Sequence, residues 1–257
     1  MPITTPPVPN ISESITSRNR RLFRELNDIH IFISKVTPRI RSLVHKYSRY
    51  DDEYDRRLKV PGKTGDQSIT KRNPEELSDL IKRFNTTELY QNFLVSIVSK
   101  FESYLADIIA IFLINSIEKL SIGPNGGESG KQLPVQMVID HTSIEALRNA
   151  LIEMRLQSIF YAKPKEYCKY FREISDLGIS DSQFTKFFEI KATRDVVTHN
   201  SCIINSLYIE KAGPLARGNL GENLSVDRQY FEECISVLKK LSAEIESATR
   251  VKYSPVT

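Results

Sequence analysis

The stretch TELYQNFLVSIVSKFESYLADIIAIFLINSIEKL, residues 87–120, decides the fold. Its apolar residues recur at steps of three or four, which places them along one face of a single long helix. These residues are Leu89, Phe93, Ile97, Phe101, Leu105, Ile109 and Phe112. Because Lys100, Glu102 and Asp107 lie inside its most apolar part, we expect a core helix and not a membrane span.

Helical periodicity also marks the rest of the chain, where stretches rich in proline and glycine separate the helical segments. Further helices are predicted at about 17–54, with an interruption before Pro38, and at about 143–160, 164–177, 181–204 and 226–250. No convincing strand remains, and residues 56–74 hold so little apolar surface that they are predicted to form an exposed or mobile loop. The sequence therefore predicts an all-α protein with a disordered leader (1–16), an N-terminal helical extension and polar loop (17–74), and a helical domain (75–257).

Composition narrows the class of protein. The N-terminus MPITTPPVPN lacks the basic and apolar segments of a secretory signal, and the three cysteines form no close pair, as expected of reduced thiols. A net charge of +4 permits transient contact with nucleic acid without requiring it. The segment GESGK, residues 127–131, is not a phosphate-binding loop, because Gln132 follows its lysine and no apolar strand precedes it. We expect a cytoplasmic protein without a membrane segment, a cofactor or a metal site.

The residues that could do chemistry lie in QFTKFFEIKATRDVVTHNSCIINSL, residues 183–207. At about 100° per residue, one side of the predicted helix carries the polar set Lys191, Arg194, Asp195, Thr198, His199 and Cys202. The other side, which we expect to pack into the domain, carries Ile190, Ala192, Val196, Val197, Ile203 and Ile204. Core burial is the first interpretation of Phe184, Phe187 and Phe188, and a dimer contact is the second.

Arg194 and His199 together suit phosphodiester cleavage. An imidazole can move a proton near neutral pH, and a guanidinium can hold a phosphate and offset its growing negative charge. RNA supplies its own nucleophile, the 2′-hydroxyl, so positioning, proton transfer and charge stabilisation can suffice without a metal.

The segment RDVVTHN, residues 194–200, resembles the R-x(4–6)-H motif of the HEPN superfamily, named for higher eukaryotes and prokaryotes nucleotide-binding. A polar residue often follows the arginine in that family, here Asp195, and an asparagine often follows the histidine, here Asn200. SKFESYLADI, residues 99–108, is similar to the acidic patch on the family's long first core helix. The resemblance covers about residues 85–210. Ser201 stands where some of these toxins carry a tyrosine that is nucleotidylated, so we do not expect that mode of control here.

This resemblance implies an up-and-down helical bundle that cleaves RNA without a metal, in a toxin or antiviral defence role. It implies a homodimer whose two motif helices face each other, and an antitoxin or defence-system protein as a further partner. Arg194 and His199 would be catalytic. Supporting roles would fall to Asn200, Glu102, Asp195 and Thr198, with Glu102 bracing the Arg194 side chain.

Other interpretations of the same residues stay open. His199 can be an ordinary helix-terminal histidine, and Arg194 an ordinary partner of Asp195. The bundle can be a non-catalytic module that binds RNA, a nucleotide or a partner protein, or a scaffold whose polar stripe is a dimer interface. Lys191, Arg18 and Arg21 are candidate RNA contacts, although acidic residues interleaved with the basic N-terminal run also fit a solvated face.

Overall fold

A computed structural model describes residues 10–47, 57–123 and 135–253 of the chain. Its longer helices are α1 (Ile11–Tyr47), α2 (Pro74–Arg83), α3 (Leu89–Asn115), α5 (Ile144–Phe160), α6 (Pro164–Ser175), α7 (Asp181–His199) and α9 (Arg228–Tyr253). Two shorter helices are α4 (Val135–Ile139) and α8 (Ser206–Ala212), and the strands are β1 (Arg57–Pro61) and β2 (Gln67–Lys71). A π-helical turn (Phe84–Glu88) leads into α3, and 3₁₀ turns occupy Ile117–Ser121 and Gly213–Leu215. The predominantly helical class is confirmed.

Helix α3 is the centre of the core. It packs against α1, α5, α6, α7 and α9. Of the predicted apolar residues, Leu89 and Phe93 are partly buried and the other five are buried, and Leu94, Val98 and Ile108, which fall within the same arc at about 100° per residue, are buried beside them. The prediction of one apolar face is confirmed, and the buried face occupies about half of the helix circumference.

Helix α1 runs without a break through Pro38, so the interruption predicted there is wrong. Thr37 is buried, which shows that packing continues up to the proline and supports the helix despite its missing N–H donor. The helix also begins earlier than expected, at Ile11, and Ile15 within the predicted leader is fully buried. Residues 1–9 of that leader and residues 48–54 of the predicted helix lie outside the described residues.

Residues 57–71 form a β-hairpin where the sequence predicts a loop. Strands β1 and β2 pair antiparallel, with Arg57 opposite Lys71 and Pro61 opposite Gln67. Gly65 takes a positive φ of 86° in the turn, a conformation that glycine adopts without steric cost. Most of the hairpin's side chains are exposed, so it needs few apolar residues, and the absence of apolar alternation hid it from the sequence analysis.

The helices that build the site begin close to where the sequence places them. Ser143 caps α5 by accepting a hydrogen bond from the Ala146 N–H, and α6 begins at Pro164. Helix α7 begins at Asp181 and buries the three phenylalanines Phe184, Phe187 and Phe188 in the main core. Core burial of these rings is confirmed. Of the described helices, none is long and apolar enough to cross a membrane.

Candidate functional site

A cleft of about 680 Å³ opens beside the middle and end of α7. Helix α3, the turn between α5 and α6, and helix α8 form its other walls. Arg194 and His199 both line this cleft, together with Lys191, Asp195 and Glu102. The structure therefore brings the two predicted catalytic side chains to one cavity.

Glu102 of α3 fixes two cations of the cleft. Its Oε2 accepts a hydrogen bond of 2.8 Å from Arg194 Nη2, and its Oε1 lies 2.8 Å from Lys191 Nζ. All three side chains are less than one-fifth exposed, so these pairs are screened less than ion pairs on an open surface. The predicted contact between Glu102 and Arg194 is confirmed, and Lys191 shares the same carboxylate.

Asp195 connects α7 to α8. Its Oδ2 accepts a hydrogen bond of 3.0 Å from Lys211 Nζ. Its Oδ1 lies 3.1 Å from Arg194 Nε, but that N–H has no well-aligned hydrogen bond, so this second contact is an ion pair only. Three cationic and two carboxylate side chains therefore line the cleft, which leaves an excess of positive charge even with neutral His199.

His199 is the last residue of α7, and its imidazole is exposed to solvent on the same cleft. The two polar neighbours predicted to support it contact the backbone. Thr198 donates a hydrogen bond of 2.9 Å to the Arg194 carbonyl, and Asn200 Nδ2 donates to the Ile203 carbonyl. In this structure Asn200 holds the corner that follows the helix.

Helix α7 ends five residues before Ile204, so the prediction that Cys202 shares its polar face is wrong. Ser201 and Cys202 take positive φ values of 48° and 64°, and the N–H groups of Asn200 and Cys202 both donate to the Val196 carbonyl. This left-handed corner terminates the helix. Cys202 instead reaches α3, where its Sγ accepts a hydrogen bond of 3.1 Å from Gln91 Nε2.

The apolar side of α7 is divided between two clusters. Ile190 lies in the main core, whereas Ala192 and Val196 belong to a second cluster with Ile204. The second cluster also includes Tyr208, Ala212 and Leu224 from the segment that follows α7. The predicted division into one polar and one apolar side was too simple, because this segment folds back and covers a third side of the helix.

A buried polar network on α7 was missed by the sequence analysis. Glu189 is 5% exposed, and its Oε1 accepts hydrogen bonds from Thr193 Oγ1 (2.8 Å), Arg217 Nε (3.0 Å) and the Tyr208 hydroxyl (3.2 Å). The Tyr230 hydroxyl donates to Oε2 at 2.8 Å. Burial raises the pKa of Tyr230 well above its usual range, which keeps its hydroxyl protonated as a donor.

Arg217 completes this network from the loop that follows α8. Its guanidinium lies 3.4 Å from the centroid of the Tyr230 ring, and its Nη1 donates to the Ser225 carbonyl at 2.9 Å. The network therefore pins the segment after α7, which supplies Asn205 and Lys211 to the cleft wall. The sequence did contain one indication of this network. Glu189 lies in the apolar run FFEI, and a carboxylate that is buried among apolar side chains needs a polar partner.

Arg18 and Arg21, the other candidate RNA contacts, line a separate groove between α1 and α3. Arg18 Nη1 lies 3.2 Å from Asp107 Oδ2, and Arg21 Nε donates to Glu25 at 3.0 Å. Ser103 of α3 lines both this groove and the cleft, so the two cavities are neighbours. Both arginines already have carboxylate partners, which lowers the positive charge that they offer to a phosphate.

Comparison with protein-family models, curated proteins and solved structures finds no match for the chain. Its three cysteines are free thiols. Within residues 10–47, 57–123 and 135–253, no three His, Cys, Asp or Glu side chains come together as a metal site. The segment GESGK lies outside the described residues.

Proposed function

We propose that this protein is a metal-independent endoribonuclease of the HEPN type, with Arg194 and His199 as its catalytic residues. One observation carries the proposal: both side chains come from a single helix and line one cleft. Lys191 and Lys211 line the same cleft, and cations in this arrangement suit the phosphates of RNA.

The reaction needs one proton removed and one proton supplied. His199 takes the proton from the 2′-hydroxyl, the 2′-oxygen attacks the adjacent phosphorus, and the bond from phosphorus to the 5′-oxygen breaks. The leaving 5′-oxygen then receives a proton from the protonated imidazole of a second His199, which the other copy in the proposed homodimer supplies. The products are a 2′,3′-cyclic phosphate and a 5′-hydroxyl, and Arg194 stabilises the negative charge that develops on the phosphoryl oxygens.

Arg194 is well placed for this role because its position is fixed before substrate binds. Glu102 holds one end of the guanidinium by the 2.8 Å hydrogen bond, so little side-chain entropy is lost when a phosphate binds. Lys191 is restrained by the same carboxylate. The pairing has a second effect, because it also reduces the net positive charge that meets the substrate.

The homodimer is part of this proposal. Among the described residues that line the cleft, His199 is the one imidazole, whereas cleavage uses both a base and an acid. Two copies with their α7 helices face to face would bring a second His199 to a shared site. The toxin or antiviral role implied by the resemblance, and its antitoxin or defence-system partner, stay predictions.

A non-catalytic binding module is the second candidate. The observation that favours it is that two carboxylates already contact the Arg194 guanidinium, so its charge is partly neutralised before any ligand arrives. Such a cleft could bind RNA, a nucleotide or a partner protein without turnover. This candidate predicts binding that survives the loss of His199 and gives no cleavage products.

The deciding experiment incubates the purified protein with total RNA and with a defined labelled oligonucleotide in EDTA. His199→Ala is compared with His141→Ala, a matched control whose imidazole lies outside the cleft and contacts the Met137 carbonyl. We expect cleavage with cyclic-phosphate ends from the wild type and the control, and a loss of about 10²- to 10⁴-fold in His199→Ala. Unchanged cleavage in His199→Ala would overturn the proposal, and binding without cleavage in all three proteins would favour the binding module.

A further inference from the structure

Tyr161 is the most exposed of the large apolar residues that line the cleft. It lies in the turn between α5 and α6, lines the cleft, and is 92% exposed. Leu207 of α8 also lines the cleft and is 51% exposed. An aromatic ring held almost entirely in water buries little apolar surface in the folded chain, so packing does not account for its place at this rim.

The turn that carries Tyr161 is fixed on both sides. Before it, the Phe160 carbonyl accepts a hydrogen bond of 3.2 Å from Lys191 Nζ, the lysine that also pairs with Glu102. After it, α6 begins at Pro164, whose ring restricts the backbone. The ring of Tyr161 is therefore exposed on a backbone that is tied to the same ion pairs that hold Arg194.

The cleft offers a ligand two features, its cationic side chains and the exposed Tyr161 ring at its rim. A ligand that contacts both must combine anionic groups with a flat apolar surface. The cations Lys191, Arg194 and Lys211 suit phosphates, and an exposed tyrosine ring suits the face of a nucleobase. A base inside a duplex is already stacked on its neighbours and cannot reach the ring. An unpaired base in a single strand can.

We propose that Tyr161 is a stacking platform for one unpaired base of the RNA bound in this cleft. The inference rests on the proposed function for the identity of the substrate, but it concerns binding and not the chemical step. Tyr161 acts in specificity, because it selects strands whose bases are free to stack and positions the adjacent phosphate at Arg194.

The chain contains no tryptophan, so a Tyr161→Trp variant carries a single reporter of stacking. Ile144→Trp is the matched control: that residue is 83% exposed and lies at the opposite end of α5. The two positions are roughly 25 Å apart along the helix. The probe is a single-stranded 2′-O-methyl oligonucleotide, which lacks the nucleophile and cannot be cleaved, so the result does not depend on activity.

We expect the oligonucleotide to quench the tryptophan emission of Tyr161→Trp and not that of Ile144→Trp, and a duplex of the same sequence to quench neither. In anisotropy titrations, Tyr161→Phe should bind like the wild type and Tyr161→Ala about 5- to 100-fold more weakly.

Equal affinity of Tyr161→Ala and wild type, or absence of binding in every form, would overturn the proposal. The proposal would also be overturned if light scattering gave a lower mass for Tyr161→Ala than for the wild type while the affinity for the oligonucleotide was unchanged, because the ring would then contact a second copy of the chain. Quenching in a protein that cleaves no RNA would support the platform while refuting the nuclease.

Discussion

Replacing Arg217 with alanine tests how the segment after α7 is held to the protein. The substitution removes the cationic partner of Glu189, whose side chain is 7% exposed, and the stacking contact with the Tyr230 ring. It also removes the hydrogen bond to the Ser225 carbonyl. Breaking a buried ion pair from one side costs about 3–5 kcal/mol, because the remaining charge is left without its partner.

Two features of the structure reduce that figure. The Arg217 side chain is 27% exposed, so solvent screens part of the interaction. Glu189 also keeps its hydrogen bonds from Thr193, Tyr208 and Tyr230 after the arginine is lost. We therefore expect Arg217→Ala to lower the free energy of unfolding by about 2–4 kcal/mol.

Chemical denaturation followed by far-ultraviolet circular dichroism measures this change. Arg228→Ala is the matched control: that arginine donates to Glu232 at 2.8 Å, but the two side chains are 55% and 40% exposed. It should lose less than about 1 kcal/mol. A loss below 1 kcal/mol for Arg217→Ala as well would refute the reasoning, since the network would then contribute no more than an ordinary surface pair.

Two further predictions concern the cleft and the thiols. Glu102→Gln removes the carboxylate shared by Lys191 and Arg194. RNA should then bind more tightly at low salt, because the net positive charge of the cleft rises, and its cleavage rate should fall, because the Arg194 guanidinium is no longer fixed. Titrations at several salt concentrations measure the first effect, and single-turnover rates measure the second. Burial raises the pKa of Cys168 to about 11 and that of Cys234 to about 12, and it also raises the pKa of Cys202. Because Cys202 alone among the three is partly exposed, an alkylating reagent at pH 8 should modify it first, and peptide mass spectrometry against time gives the order.

Periodicity within one segment was enough to predict the main helices. The apolar residues of α3 and the polar residues of α7 repeat over several turns, and such patterns report directly on which sides of a helix are buried. The same approach gave the wrong result at Pro38, where packing of Thr37 supports a helix that local rules would interrupt. It also missed the hairpin, whose exposed side chains show no apolar alternation.

The candidate site likewise contains residues that the sequence predicted and residues that it could not predict. Arg194, His199 and Lys191 lie close together in sequence, so their common cleft could be predicted from one helix. The resemblance supplied Glu102, which lies on a different helix. Lys211 and Tyr161 could not be found, because each reaches the cleft through folding of a segment with no motif of its own.

The left-handed corner at Ser201 and Cys202 makes the position of His199 depend on two distant parts of the chain. Left-handed backbone costs about 1–2 kcal/mol per residue outside glycine, so the corner needs tertiary support. Gln91 of α3 supplies one contact, and the Leu224 N–H, which donates to the Cys202 carbonyl at 2.7 Å, supplies another. The last turn of α7 and residues 223–224 should therefore open as one cooperative unit in native-state hydrogen exchange, at a lower free energy than the phenylalanine-rich first half of the same helix.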